Sequence, residues 1–181
     1  STIDLVAPGS LVMTTARDFG YAIISGTSAS APFVSAASSL ILSKQNFTNE
    51  EIKQILKSTS DDIGESGWDL RSGAGRLNLF KALSVTAPSI VKFNFPTQDY
   101  ATLENNVVIN ATVLSPYFTN YSLEVGKGFN PGEWESLISN AQNQFANLEI
   151  FDLDVSSYVD TVYTLRLIVN QTNGRTLEER I

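Results

Sequence analysis

The spacing of apolar residues changes character twice along this chain. Tyr21-Ala22-Ile23-Ile24 is a continuous apolar, partly β-branched run, and it predicts a short buried strand or extended lead-in. Ser25-Gly26-Thr27-Ser28 interrupts that run with small residues. From Ala29 the period becomes three and four. Ala29, Phe33, Ala36, Ala37, Leu40 and Ile41 form a helical stripe that Val34 and Leu42 widen. A stripe this wide predicts a helix buried over most of its circumference. Pro32 belongs near the start of such a helix, where its missing amide costs least. Thr48-Asn49-Glu50-Glu51 has the form of a capping box, opening a second helix through Ile52, Ile55 and Leu56 to about Ser58. Ser58 to Arg71 is rich in Ser, Asp and Gly and reads as a surface loop with Trp68 as its anchor. Asn78 is placed to cap a last short helix ending near Leu83.

Ala87-Pro88 marks a boundary, beyond which period two replaces the helical period. Val91, Phe93 and Phe95 alternate with Lys92 and Asn94. Val107, Ile109, Ala111 and Val113 share one strand face, and Tyr163, Leu165, Leu167 and Val169 share another. Asn173-Gly174 suits a hairpin turn leading into Arg175 to Ile181. The chain therefore divides into an α/β part over 1–87 and an all-β antiparallel sandwich over 88–181. The last hairpin strand stops at Ile181 without an evident ending, so the second part is expected to be truncated there.

Composition narrows the functions available. Of 181 residues, 43% are apolar, as in ordinary folded protein. The net charge of −7 argues against nucleic acid or an anionic membrane as partner, because both require a basic face. No run approaches the length of a membrane span. The absence of both cysteine and histidine argues against disulfides and against a zinc site. Asp61-Asp62 is too small a ligand set for calcium. No cofactor is expected.

Ser28 carries the candidate chemistry. It lies where a glycine-permitted turn enters an apolar helix, and amides at a helix start favour negative charge on a substrate oxygen. Gly26 leaves room for a substrate backbone, with Thr27 between the two. A different reading makes Thr27 or Ser28 an N-cap, the commonest role of such residues. A serine nucleophile also requires a base, and this chain has no histidine to act as one.

The longer string, Gly26-Thr27-Ser28-Ala29-Ser30-Ala31-Pro32-Phe33-Val34, resembles the serine-containing signature of the subtilisin-like serine proteases, the subtilases. Asp4-Leu5-Val6-Ala7-Pro8-Gly9 resembles the strand and turn that precede it. Gly73-Ala74-Gly75-Arg76-Leu77-Asn78 with Leu79-Phe80-Lys81-Ala82-Leu83 resembles the segment that closes the catalytic domain. The resemblance implies that 1–87 is the C-terminal portion of a doubly wound subtilase domain. It makes Ser28 the nucleophile and its backbone amide an oxyanion donor. The family's aspartate, histidine and oxyanion asparagine have no counterpart here, and neither Asp4 nor Asp18 lies in a matching segment. Ala29, where the family commonly has methionine, and Ala36, where it commonly has glycine, bear on packing. An N-terminal truncation is therefore expected, with an isolated chain unable to hydrolyse peptides and the missing half of the domain as its partner. A secreted or cell-surface protein acting on protein or peptide substrates is implied, without membrane insertion. The second part is similar to immunoglobulin or fibronectin modules, carried by Tyr121 to Gly128 and Tyr163 to Leu167. A binding or spacer module, or a non-catalytic subtilase, is the competing reading. Trp134 is read as a packing residue beside a turn rather than a sugar-stacking ring.

Overall fold

The computed structural model describes residues 3–65 and 67–181. Ser1 and Thr2 of the opening segment, and Ser66 within the loop expected over 58–71, lie outside the described residues. The chain forms two compact units, Ser1–Thr86 and Ala87–Ile181.

The first unit begins with an extended segment and an antiparallel ribbon, β1 (Val12–Thr15) and β2 (Tyr21–Ile24), paired Val12 to Ile24 and Thr15 to Tyr21. Three helices follow: α1 (Thr27–Lys44), α2 (Asn49–Thr59) and α3 (Leu79–Leu83). The capping box is formed. Glu51 N–H donates to Thr48 Oγ1 at 3.3 Å, and Thr48 N–H donates to Glu51 Oε2 at 2.7 Å. Asn78 Oδ1 likewise accepts from Lys81 N–H at 3.0 Å to start α3. Ala37 and Ile41 of α1 pack with Ile52, Ile55 and Leu56 of α2 and Ala82 of α3 as one apolar cluster.

Three expectations for this unit meet a different structure. Helix α1 is not enclosed. Ala29, Ala37 and Ile41 are buried, while Phe33, Leu40 and Leu42 stay 42%, 46% and 45% exposed. The apolar stripe encircles the helix, but α2, α3 and the residues around Leu5 cover one side of it. Strand β2 forms, yet it is not buried: Tyr21, Ile23 and Ile24 are all exposed. Their ribbon has one strand partner and no second layer over the Met13–Ile23 face. Among the described residues, parallel pairing in this unit is limited to the Val6–Arg76 bridge, so the doubly wound sheet is not seen here. A parallel strand needs a crossover and two covered faces, which this ribbon lacks.

Residues 73–77 close the unit between two neighbours. Ala74 N–H donates to Asp4 carbonyl and Leu77 N–H to Val6 carbonyl, both at 2.8 Å. On the other side Arg76 and Asp61 exchange two backbone bonds of 2.8 Å. The Asp61 carboxylate receives Lys81 Nζ at 2.6 Å and Asn78 Nδ2 at 2.9 Å, with Arg76 at 3.5 Å. Asp61 therefore ties the loop to α3.

The second unit is β3 (Ile90–Phe95), β4 (Asn106–Leu114), β5 (Phe118–Lys127), β6 (Glu135–Ala141), β7 (Phe145–Asp154), β8 (Tyr163–Gln171) and β9 (Thr176–Arg180). They make a three-stranded sheet in the order β3-β4-β7 and a four-stranded sheet in the order β6-β5-β8-β9, with every pairing antiparallel. Alternation sets the buried faces. Ile109, Ala111 and Val113 of β4 are buried, as are Leu165, Leu167 and Val169 of β8. Residues of both sheets share each cluster: Val91, Ala111 and Val113 meet Tyr121, Leu167 and Val169, and Ile109 and Leu153 meet Leu123, Val125 and Leu165.

Two measurements test this account. Lys81, then Asn78, hold the Asp61 carboxyl down to about 2, below the usual carboxylate value. Its stabilisation is then fully present above pH about 4, where the unfolded side chain is ionised, and is lost as pH falls through about 2. The gap in urea midpoint between the native chain and Asp61→Asn should be open at pH 6 and closed near pH 2. In the second unit, Ile109→Ala should cost about 2–5 kcal/mol, whereas the exposed neighbour Val108→Ala should cost about 1 kcal/mol or less.

Candidate active site

The start of α1 is held by contacts that leave no space for a side chain at Gly9. Gly26 N–H donates to the Gly9 carbonyl at 2.8 Å, and Leu11 N–H donates to Ser25 Oγ at 2.9 Å. A Cβ on Gly9 would lie 2.9 Å from the Gly26 carbonyl oxygen and closer still to Ser30 Oγ. Gly26 itself has φ 146° and ψ 169°, a conformation that in practice only glycine adopts. The turn at 8–9, the end of β2 and the first turn of α1 are thereby locked to one another.

Gly26 is the N-cap, and no side chain caps the helix. The N-cap reading of Thr27 or Ser28 is therefore not realised. Both are helical residues, at the first and second positions, and both are exposed. The Ala29 amide bonds back to the Gly26 carbonyl at 3.0 Å, whereas the first helical amides have no intrahelical acceptor. Pro32 sits deeper than expected, in the second turn, and brings no amide to the Ser28 carbonyl four residues before it. Among the described residues no side chain hydrogen-bonds the Ser28 hydroxyl.

The carboxylates set aside in the sequence have other work. Asp4 Oδ1 lies 3.4 Å from Lys53 Nζ and 3.7 Å from Lys57 Nζ, an ion-pair group against α2. Asp18 is at the ribbon tip with φ 58°. Ser25 and Gly9 were not singled out from the sequence, although they fix the helix start. Their role depends on contact between segments, and the Pro8-Gly9 turn was its sole trace. Asp69 is a structural group as well: Ser72 Oγ–H and the Arg71 and Ser72 amides hold its carboxyl below the usual value.

Sequence comparison locates this arrangement. Residues 1–75 match the subtilase family. The match covers Asp4 to Gly9, the whole of α1 and the loop up to Gly75, and it supports an α/β, subtilisin-like character for that part. Among known subtilases and related serine proteases, the chain is 35% identical over 82 residues to the thermophilic serine proteinase of Bacillus sp. strain AK1. It is 38% identical over 87 residues to halolysin of Haloferax mediterranei, and 32% over 82 residues to the extracellular serine protease of Serratia marcescens. These alignments take in 45%, 46% and 45% of this chain, and 20%, 16% and 8% of the respective relatives. The chain thus spans a fifth or less of the length of these relatives. The likeness supports a protease kind of function for the first unit's family.

Because Ser28 neither caps the helix nor fills the core, Ser28→Ala should shift the unfolding free energy by no more than about 0.5 kcal/mol. Gly26→Ala, forced into a conformation reserved for glycine, should cost about 1–3 kcal/mol. Urea unfolding of the two variants separates them. An equal loss in both would make Ser28 a structural residue.

Proposed function

We propose that the chain is part of a serine endopeptidase of the subtilase kind, with Ser28 as its nucleophile. One observation carries the reading: an exposed serine at the first turn of a helix whose N-cap is a glycine, within the segment similar to subtilases. Residues 1–87 are read as the C-terminal portion of the catalytic domain, and 88–181 as an attached immunoglobulin- or fibronectin-like sandwich. Seven antiparallel strands in two sheets with shared apolar clusters support the second assignment.

In this reading Ser28 Oγ attacks the scissile carbonyl carbon, and its proton passes to a base that residues 1–181 do not contain. The carbonyl oxygen gains negative charge, which the Ser28 amide, free of an intrahelical acceptor, is placed to receive. Gly26 and Thr27, both exposed, flank the nucleophile on its N-terminal side. Collapse of the tetrahedral adduct breaks the C–N bond, the amine leaves with the proton, and water hydrolyses the Ser28 ester. Without the base, the isolated chain is expected to be inactive. Losing the base of a related triad costs about a millionfold, a magnitude taken from a known subtilisin example. Secretion or display at the cell surface fits the relative named as extracellular. No helix among the described residues is long and apolar enough to cross a membrane.

A second reading is supported by the separate β-rich unit, with its own core: a binding or spacer module attached to the catalytic part. A fluorophosphonate probe tests the first. The longer parent protein should be labelled at Ser28, as read by mass spectrometry of the modified peptide, while residues 1–181 alone should label slowly or not at all. A parent protein that stays unlabelled, or carries the label on another serine, overturns the assignment.

A further inference from the structure

The two ends of the second unit differ in chemistry. At the end where the chain enters, the strands are joined by short connections at 115–117, 142–144 and 172–175. Its interior is closed by a buried polar knot, in which Gln171 Nε2 donates to Ser89 Oγ and Ser115 Oγ, each at 2.8 Å. The far end carries three longer loops: 96–105 between β3 and β4, 128–134 between β5 and β6, and 155–162 between β7 and β8.

Backbone bonds join these loops into one surface. Val155 N–H donates to the Asn105 carbonyl at 2.7 Å, tying the third loop to the first. Gly128 N–H donates to the Val162 carbonyl at 2.8 Å, and Thr164 Oγ1 donates to the Gly128 carbonyl at 2.7 Å, tying the second to the third. Each loop nevertheless presents apolar side chains to solvent. Leu103 is fully exposed, Phe129 is 74% exposed and Val159 is 56% exposed, with Val162 beside Gly128 also exposed. Large apolar side chains gathered on one tied surface are a usual mark of an interaction site.

Charge selects the partner. Asp99, Glu104, Glu133 and Asp160 are spread over the same three loops, all exposed, and the loops contain no Lys or Arg. None of the four makes an ion pair among the described residues. They are too dispersed for a cation, since no group of three carboxylates able to hold one occurs among the described residues. Anionic lipid and nucleic acid would be repelled. Trp134, at the margin, has the Arg166 guanidinium 3.9 Å from its ring centroid.

We infer that the loop end of the second unit, carrying Leu103, Phe129 and Val159 among Asp99, Glu133 and Asp160, docks a basic polypeptide surface with an apolar centre. The apolar side chains supply the buried contact area, and the acidic side chains of the same loops steer the cationic partner and set its salt dependence. The inference does not depend on hydrolysis at Ser28, and its test leaves that chemistry untouched.

The test uses the 181-residue chain, fluorescence anisotropy and two labelled amphipathic peptides, one built from Lys and Leu and its counterpart built from Glu and Leu. The Lys/Leu peptide should bind, should weaken as salt is raised, and should bind at least tenfold more tightly than the Glu/Leu peptide. Leu103→Ser with Phe129→Ser should weaken it at least tenfold, and Asp99→Asn with Asp160→Asn at least threefold. Asp18→Asn with Glu65→Gln, which removes the same charge from the first unit, should leave it unchanged. Should the serine pair lose its native circular dichroism, the asparagine pair decides alone, since those changes keep size and exposure. Absence of binding, equal binding of both peptides, or loop variants that bind as the native chain does would each overturn the proposal. So would a dimer of the native chain that the loop variants abolish, because the occupant would then be a second copy.

Discussion

Ser28 stands on the surface because two backbone segments meet at Gly9 and Gly26 with nothing but hydrogen between them. The 2.8 Å bond from Gly26 N–H to the Gly9 carbonyl joins the turn to the end of β2. The crowding of Gly9 against Ser30 then sets how closely that turn packs on the first turn of α1. A side chain at Gly9 would separate the segments or rotate the helix start, moving Ser28 with it. The φ of 146° at Gly26 has the same consequence, because it turns the chain abruptly from strand direction to helix direction. An exposed hydroxyl beside unshared helical amides follows from this junction, and the serine needs no contact of its own to be held there.

The rest of the first unit braces that junction from one side. Ile41 and Ala37 fasten α1 to α2, and the backbone ladder of residues 73–77 fastens α3 and the Asp61 loop to the segment 4–6. Burying a side chain the size of Ile41 contributes about 1.5–3 kcal/mol, so the covered face of α1 dominates its anchorage. The opposite face, with Phe33 and Leu40, contributes no such term within the unit. Helix α1 is therefore fixed in position by less than its apolar content would allow.

Local chemistry was the most legible part of the sequence. The capping box at Thr48 and Glu51, the cap at Asn78 and the Asn173-Gly174 turn each depend on residues a few positions apart, and each is formed. Alternation likewise identified the buried faces of β4 and β8. What the sequence could not convey was the supply of neighbours: the period of α1 marks a helix but not how many of its sides will be covered. Strand β1 went unnoticed, and so did β6 and β7. In β7, Leu148 and Ile150 fall on the wrong alternation with Phe151 and Leu153, because the pairing with β4 shifts between Ile109 and Asn110. A bulge of this kind erases period two in the sequence while keeping the strand in the sheet. At the candidate site, Ser28, Gly26 and Thr27 are visible as a string, whereas the contacts that lock them, Gly26 N–H to the Gly9 carbonyl and Leu11 N–H to Ser25 Oγ, join segments far apart in the sequence.

Trp134 shows how a distant contact decides between two readings of one residue. Register places Arg166 of β8 directly opposite Arg180 of β9, and like charges facing each other across strands are destabilising. Three groups offset that repulsion. Glu124, opposite Arg166 on β5, accepts from its Nε; Glu178 accepts from Arg180; and the Trp134 ring lies against both guanidinium groups, 3.9 Å and 5.2 Å from its centroid. A ring face attracts a cation through its quadrupole, so the tryptophan packs on the charged face of the sheet. The consequence reaches beyond this residue. Arg166 and Arg180 on the four-stranded sheet are satisfied by Glu124, Glu178 and the Trp134 ring, whereas the acids of the three long loops are exposed and make no ion pair among the described residues.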